Sequence, residues 1–224
     1  MLKSALETGY NSQKYLSKGA VYTGQYDIPC VRSNPLTIPK KVITFSKSLK
    51  SKDFDAWIVF YEDDSQFERV WRNPKRYIKV FKRFKGIVAP DFSLYGDMPL
   101  CEQIHNVYRS RLLAHFYQQN GIRVIVNARW GIDLTFDFCF DGLYDNDIVF
   151  VGTHGSLKDK RNRLQFTKGL DELVNRIHPR TICVYGFIPD DVFALLKMQG
   201  VEIVSYESEF SLTHKRDIHN GVQA

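Results

Sequence analysis

Cysteine is scarce in this 224-residue chain. The four that occur, Cys30, Cys101, Cys139 and Cys183, are widely separated and form no CxxC pair, which excludes a zinc ribbon and a dithiol redox motif. Cys139 and Cys183 lie inside apolar runs and read as buried free thiols. No apolar run approaches the roughly 18 residues that a membrane-spanning helix needs, and the opening residues hold no apolar core of the signal-peptide kind. A cytoplasmic protein with no membrane partner is therefore expected. Neither GxxxxGK-S/T nor GxGxxG occurs after any apolar run, which disfavours P-loop hydrolysis and Rossmann dinucleotide chemistry. Zinc-finger spacing, an RNA-recognition signature and a convincing helix-turn-helix are absent too.

What is present is a composition that folds. With 44% hydrophobic and 25% charged residues the chain can bury one full core, and it is neither disordered nor collagen-like. Residues 1–40 have little periodicity and carry Pro29, Pro35 and Pro39, so they read as an irregular arm. From residue 41 short apolar runs alternate with longer amphipathic ones, the signature of repeated βα units. Strands are expected at 42–45, 56–61, 87–89, 122–126, 148–151, 181–185 and 202–206, most of them apolar along nearly their whole length, as in strands covered on both faces or closed into a barrel. The expected fold is a single α/β domain over residues 41–210 with a mostly parallel sheet of six to seven strands, open or curled into an incomplete barrel, followed by a tail at 211–224. Six or seven strands are too few for a standard eight-stranded barrel.

Helix signals sit between these runs. Ser65 with Glu68 reads as a capping box, and Asn73-Pro74 restarts the helix after a break. Further helices fit residues 99–119, with Asp97 near the start and Gly121 past the end, then 164–177 and 190–198. At 134–140, Leu134, Phe136, Phe138 and Phe140 alternate with Thr135, Asp137 and Cys139, the period-two pattern of a half-buried strand. A short irregular or helical passage is the alternative there.

The charge is unevenly placed. The chain carries 31 Lys and Arg against 25 Asp and Glu, a net +6. Residues 69–85 hold eight basic residues and no acid, so the remainder has 23 against 25 and is slightly acidic. Helical spacing puts Arg69, Arg72, Arg76, Lys79 and Arg83 on one face, with Val70, Tyr77, Phe81 and Phe84 on another that can pack inward. A phosphate-backbone contact surface and an ordinary solvated face both fit this pattern. The lack of balancing carboxylates within 69–85 weakens the second, because like charges repel at that spacing.

In parallel α/β domains ligands bind beyond the carboxyl ends of the strands. Six successive apolar runs here lead into Glu62-Asp63-Asp64, Asp91-Phe92-Ser93, Asn127-Ala128-Arg129-Trp130, Thr153-His154, Tyr185-Gly186 and Tyr206-Glu207. Glu62 and Asp91, held near each other, could divide acid and base roles or share a divalent cation. His154 suits a general base, a ligand or a structural histidine. Arg129 and Trp130 suit an anion and a planar ring, and Asp63, Ser93, Asn127 and Tyr185 complete the set of ligand-binding candidates. The bland alternative is that each carboxylate caps a helix, which is the stronger reading for Asp64 beside Ser65. His105 and His115 fall inside a helix without HExxH spacing and read as structural.

The strings at 60–64, 90–99 and 138–142, above all Pro90-Asp91-Phe92-Ser93-Leu94-Tyr95-Gly96-Asp97-Met98-Pro99, resemble the domain of unknown function 4417, a family associated with phages and mobile elements. The similarity covers roughly residues 40–210. It implies one domain and a phage or bacterial setting, and it carries no catalytic residues across. Two functions follow as expectations: a phage-type accessory protein that takes, and in an enzymatic version processes, a nucleotide or nucleic-acid-derived ligand at the strand ends, or a non-catalytic nucleic-acid-binding module working through residues 69–85. A protein-interaction module with structural polar strand ends is the third.

Overall fold

The computed structural model describes residues 14–35, 37–153, 157, 159–209 and 211. A 3-10 turn (Lys14–Leu16) and a short antiparallel pair, β1 (Tyr22–Thr23) and β2 (Ile28–Pro29), come first. Then follow β3 (Val42–Thr44), α1 (Phe45–Ser48), β4 (Trp57–Val59), α2 (Asp64–Arg72), α3 (Pro74–Phe81), β5 (Gly86–Val88), α4 (Leu100–Gln119) and β6 (Val124–Asn127). A second 3-10 turn (Asp133–Asp137) occupies the connection to β7 (Ile148–Gly152), which is followed by α5 (Lys160–Ile177), β8 (Thr181–Tyr185), α6 (Asp190–Met198) and β9 (Glu202–Tyr206).

Strands β3 to β9 form one seven-stranded sheet in chain order, every neighbouring pair parallel. Right-handed crossovers that always advance the same way keep their helices on one face of the sheet, and the sheet curls into a half-barrel. Period-two alternation sorts the strand residues accordingly. Ile58, Val126, Val149 and Ile182 join one apolar cluster with Phe67, Val70, Leu113, Leu170 and Phe193 of the helices. Trp57, Val59, Ile125, Phe150, Cys183, Tyr185 and Tyr206 form a second cluster without helical residues, which fills the concave face. Aromatic bulk thus occupies the space that further strands would close. Gly86 is required there, since a Cβ would meet the Trp57 ring at 2.4 Å. The sheet edges are tied across the open side: Tyr206 Oη donates to the Pro39 carbonyl at 2.7 Å, and Lys47 of α1 pairs with Glu209 beyond β9.

The arm packs under the amino ends of the strands. Ser33 Oγ donates to the Ile148 carbonyl at 2.6 Å and accepts from the Val126 amide at 2.9 Å, while the Ser33 amide donates to Asp147. Asn34 pairs with Val124 through both its side chain and its amide. These bonds satisfy backbone groups at the start of β6 and β7 that burial would otherwise leave unpaired. His115, buried on α4, meets the Lys18 carbonyl, and His105 makes an edge contact with Trp71, in keeping with structural roles. Cys139 and Cys183 are buried and free.

Several local expectations are corrected. Residues 134–140 form no strand: Thr135 Oγ1 accepts from the Gly131 amide and donates to the Ile132 carbonyl, closing a tight turn, and Leu134 is exposed. The Ser65–Glu68 capping box does not form. Helix α2 starts two residues earlier with Asp63 at its N-cap in place of Ser65, and Glu68 turns to Arg109 at 2.6 Å. Helix α5 begins at Lys160, ahead of residue 164, because the Asp159 carboxylate caps it by accepting from the Asn162 amide. No described helix is long and apolar enough to cross a membrane.

Candidate functional site

The strand ends of β4, β5 and β6 lie side by side, so their last polar residues meet. Asp91, just past β5, is buried, and both its oxygens accept: Oδ1 from Asn127 Nδ2 at 2.6 Å and Oδ2 from Arg129 Nη1 at 2.9 Å. Tyr61, just past β4, donates its hydroxyl to Asn127 Oδ1 at 2.7 Å. Its ring stacks on Tyr185 at 4.7 Å, and the Tyr185 hydroxyl accepts from the Glu209 amide. Burial pushes the Asp91 carboxyl above its ordinary 3.8, against the pull of Arg129 and Asn127. Burial together with the Asp91 charge pushes the Tyr61 phenol well above 10.0.

Above this chain of hydrogen bonds lies a cavity of about 500 Å³. Leu94, Trp130, Ile132 and Phe166 give it apolar walls, and Asp63, Arg129, Asn162 and Gln165 bring polar atoms to it. Gly152 borders it at the end of β7, where a Cβ would stand 2.8 Å from the Tyr61 ring. Trp130 packs between Phe140, Phe166 and the backbone of α5 at Gly169, where a Cβ would approach the indole to 2.2 Å. Only 8% of its surface is exposed, so it is a wall of the cavity and offers no free stacking face. Among the described residues the one hydrogen-bonding partner of the Arg129 side chain is Asp91, which leaves its remaining donors to the cavity.

The irregular connection from β6 to β7, which carries Trp130 and Ile132, hangs on Arg111 of α4. This fully buried guanidinium donates to the carbonyls of Asn127 at 2.8 Å, Cys139 at 3.1 Å and Asp141 at 3.4 Å. Burial lowers its pKa to about 10, which leaves it charged at neutral pH.

The structure brings Asp91, Asn127 and Arg129 into direct contact, sets Asp63 and Trp130 around the same cavity, and joins Tyr185 to the group through Tyr61. Ser93 stands aside, its amide and hydroxyl both donating to Asp64. Glu62 is engaged elsewhere: its Oε2 accepts from the Ser46 amide at 3.0 Å, in the first turn of α1. Glu62 and Asp91 are therefore held by different partners. His154 lies outside the described residues. Among the described residues no group of three His, Cys, Asp or Glu is placed to hold a metal ion. Tyr61 and Arg111 are not among the sequence candidates. Tyr61 looks like the last residue of an apolar run, and Arg111 like one more helical cation.

The basic run is also placed. All eight of its Lys and Arg residues are exposed, but the helix breaks at Asn73, so Arg69 and Arg72 belong to α2 while Arg76 and Lys79 belong to α3 and Arg83 to the turn after it. The break expected at Asn73-Pro74 is there, and it divides the face that helical spacing assigns to these cations into two short faces and a turn. Arg72 lies 3.8 Å from Glu68, just outside the run.

A family model described as Domain of unknown function (DUF4417) matches residues 20–207. Two relatives, both called Gene 1 protein, come from Mycobacterium phage D29 and Mycobacterium phage L5. Each is 39% identical over 127 residues, which is 57% of this chain and 47% and 56% of the respective relatives. The chain thus spans about half the length of the curated relatives it matches.

Proposed function

This chain belongs to the DUF4417 family, and we propose that it is a phage-type accessory protein of the cytoplasm that binds a nucleobase-bearing ligand, a nucleotide or a fragment of nucleic acid, at the carboxyl ends of the sheet strands. The observation that carries this is Arg129. Its guanidinium is oriented from behind by buried Asp91, with donors left over, on the floor of a cavity of about 500 Å³ whose lining mixes apolar side chains, Leu94, Trp130, Ile132 and Phe166, with the polar ones of Asp63, Asn162 and Gln165. Small-molecule sites pair apolar walls with placed polar groups, and this lining supplies both. Asp63 adds an acceptor for ring N–H groups, since its carboxylate makes no cap bond to α2. The proposal stops at binding. Both oxygens of Asp91 already accept hydrogen bonds and Glu62 is held by Ser46, so no acid–base step is assigned to them.

Titration calorimetry of the full chain with nucleosides and nucleoside monophosphates tests the reading. Saturable binding that weakens roughly 10- to 100-fold in Arg129→Ala, through removal of a charge-assisted hydrogen bond, supports it. Equal binding by parent and variant, or none by either, overturns it.

A second reading, contact with a nucleic-acid backbone through Arg69, Arg72, Arg76, Lys79 and Arg83, is favoured by the exposure of every one of these cations. Its mark is binding whose logarithm falls steeply with the logarithm of salt.

A further inference from the structure

Each parallel βα unit sends its chain up a strand and back down, so the connecting segments sort into two ends of the domain. The segments that enter β3 to β9 at their amino ends, residues 40–41, 49–56, 82–85, 120–123, 143–147, 178–180 and 199–201, hold nine Lys and Arg against four Asp and Glu. The described residues of the segments that leave β4 to β9 at their carboxyl ends, 60–63, 89–99, 128–132, 153, 157, 159, 186–189 and 207–209, hold one against seven. The domain is therefore electrically polar along its strands, acidic at the cavity end and basic at the other.

Part of this polarity complements the helix dipoles, since acids favour helix amino ends and bases carboxyl ends. That effect amounts to about half a charge per helix and fades within one turn. It does not account for three cations, Lys82, Arg83 and Lys85, in the four residues after α3, nor for Lys40, Lys50 and Lys52 around a helix of only four residues.

The basic end is also contiguous. The loop at 49–56 packs on the turn after α3: Phe54 meets Phe84 edge-on at 5.2 Å, the Arg83 guanidinium lies 4.0 Å over the Phe54 ring, and Lys85 pairs with Asp55 at 3.1 Å. Asp53 in the same loop pairs with Lys41. Once these pairs are set aside, Lys40, Lys50, Lys52, Lys79 and Lys82 are exposed and have no ion pair among the described residues.

We infer that the polyanion-binding surface is the whole basic end of the domain, where α3 and the turn after it are continued by Lys50, Lys52 and Lys40, and that its partner is the phosphate backbone of a nucleic acid. The inference rests on the second reading above and extends it beyond residues 69–85. It also fixes orientation: the cations gather at the end opposite the cavity, so a strand bound there leaves the cavity facing away from it.

Fluorescence anisotropy with labelled duplex DNA and, in parallel, duplex RNA of the same sequence tests it, using the full chain over a range of salt. The variants are Lys79→Glu with Arg83→Glu, Lys50→Glu with Lys52→Glu, and Asp97→Asn as the control at the opposite end, an exposed residue outside the cavity lining. Both double reversals are expected to weaken binding at least roughly tenfold at low salt and to flatten the salt slope by about 0.9 for each phosphate no longer neutralised, while Asp97→Asn leaves the slope unchanged. If Lys79/Arg83 reversal weakens binding and Lys50/Lys52 reversal does not, the extended surface is wrong and the helical one stands. If the parent shows a flat salt response with both duplexes, the nucleic-acid reading itself falls. Circular dichroism of each variant checks the fold, above all for Arg83→Glu, since the Arg83 guanidinium lies over the Phe54 ring.

Discussion

At the amino ends of β6 and β7 the arm lies against the strands, and Ser33 and Asn34 take up the Val124, Val126 and Ile148 backbone groups. At the carboxyl ends of the same strands no such segment is seen among the described residues. Side chains meet one another instead, Tyr61 to Asn127 to Asp91 to Arg129, and a cavity remains above them. At the amino ends short side chains satisfy backbone groups of the strands and close the space, whereas at the carboxyl ends the polar side chains satisfy one another. The sealed end accordingly contributes stability, and the open end keeps donors over for a ligand.

The largest effect that bears on this contrast is expected at Arg111. Arg111→Ala strips three buried carbonyls of a charged donor and should lower unfolding free energy by about 3–5 kcal/mol, measured by urea denaturation. A decrease under about 1 kcal/mol would show that the cavity-bearing connection is held by something else. Next comes Asp91→Ala, which leaves Asn127 and Arg129 without their acceptor and should cost about 2–3 kcal/mol while also weakening ligand binding. Ser33→Ala removes two side-chain bonds at the sealed end and should cost about 1–2 kcal/mol with ligand affinity unchanged in calorimetry; a fall in affinity would mean that the two ends are coupled.

The smallest effect is in pH. Asp91 at the open end and Asp147 at the sealed end both have carboxyls raised above the ordinary 3.8 by burial. A raised carboxyl contributes stability that is complete below 3.8 and declines as pH rises through the folded value. Asp91→Asn and Asp147→Asn should therefore each gain on the parent as pH climbs from below 3.8 toward neutrality. Denaturation midpoints across that range check this, and a gain that shrinks on raising pH would contradict it.

Much of the fold was legible because parallel strands buried on both sides must be apolar throughout. Thr181–Tyr185 and Glu202–Tyr206 are read correctly to the residue, as is α6. Misreadings arose where a local pattern competed with a contact made across the chain. The alternation at 134–140 does not carry over into burial, since Thr135 and Cys139 are buried along with Phe136, Phe138 and Phe140 while Leu134 is exposed, and Thr135 turns the backbone before a strand can form. Glu68 has the spacing of a capping box, but Arg109, 41 residues later, claims it. Glu62 and Asp91 look equivalent in the sequence as carboxylates at strand ends, and only packing shows one serving α1 and the other orienting Arg129.

The order of apolar and amphipathic runs by itself determined the βα rhythm, the number of strands to within one, and the concentration of charge in residues 69–85, because these depend on local periodicity and composition. Tertiary structure alone decided that the sheet curls around its own aromatics, that the arm closes one end, that Arg129 rests on Asp91, and that charge divides between the two ends of the domain. Each of these depends on which distant segments become neighbours, and in a parallel sheet the neighbours are set by crossovers tens of residues long, a spacing that no local pattern records.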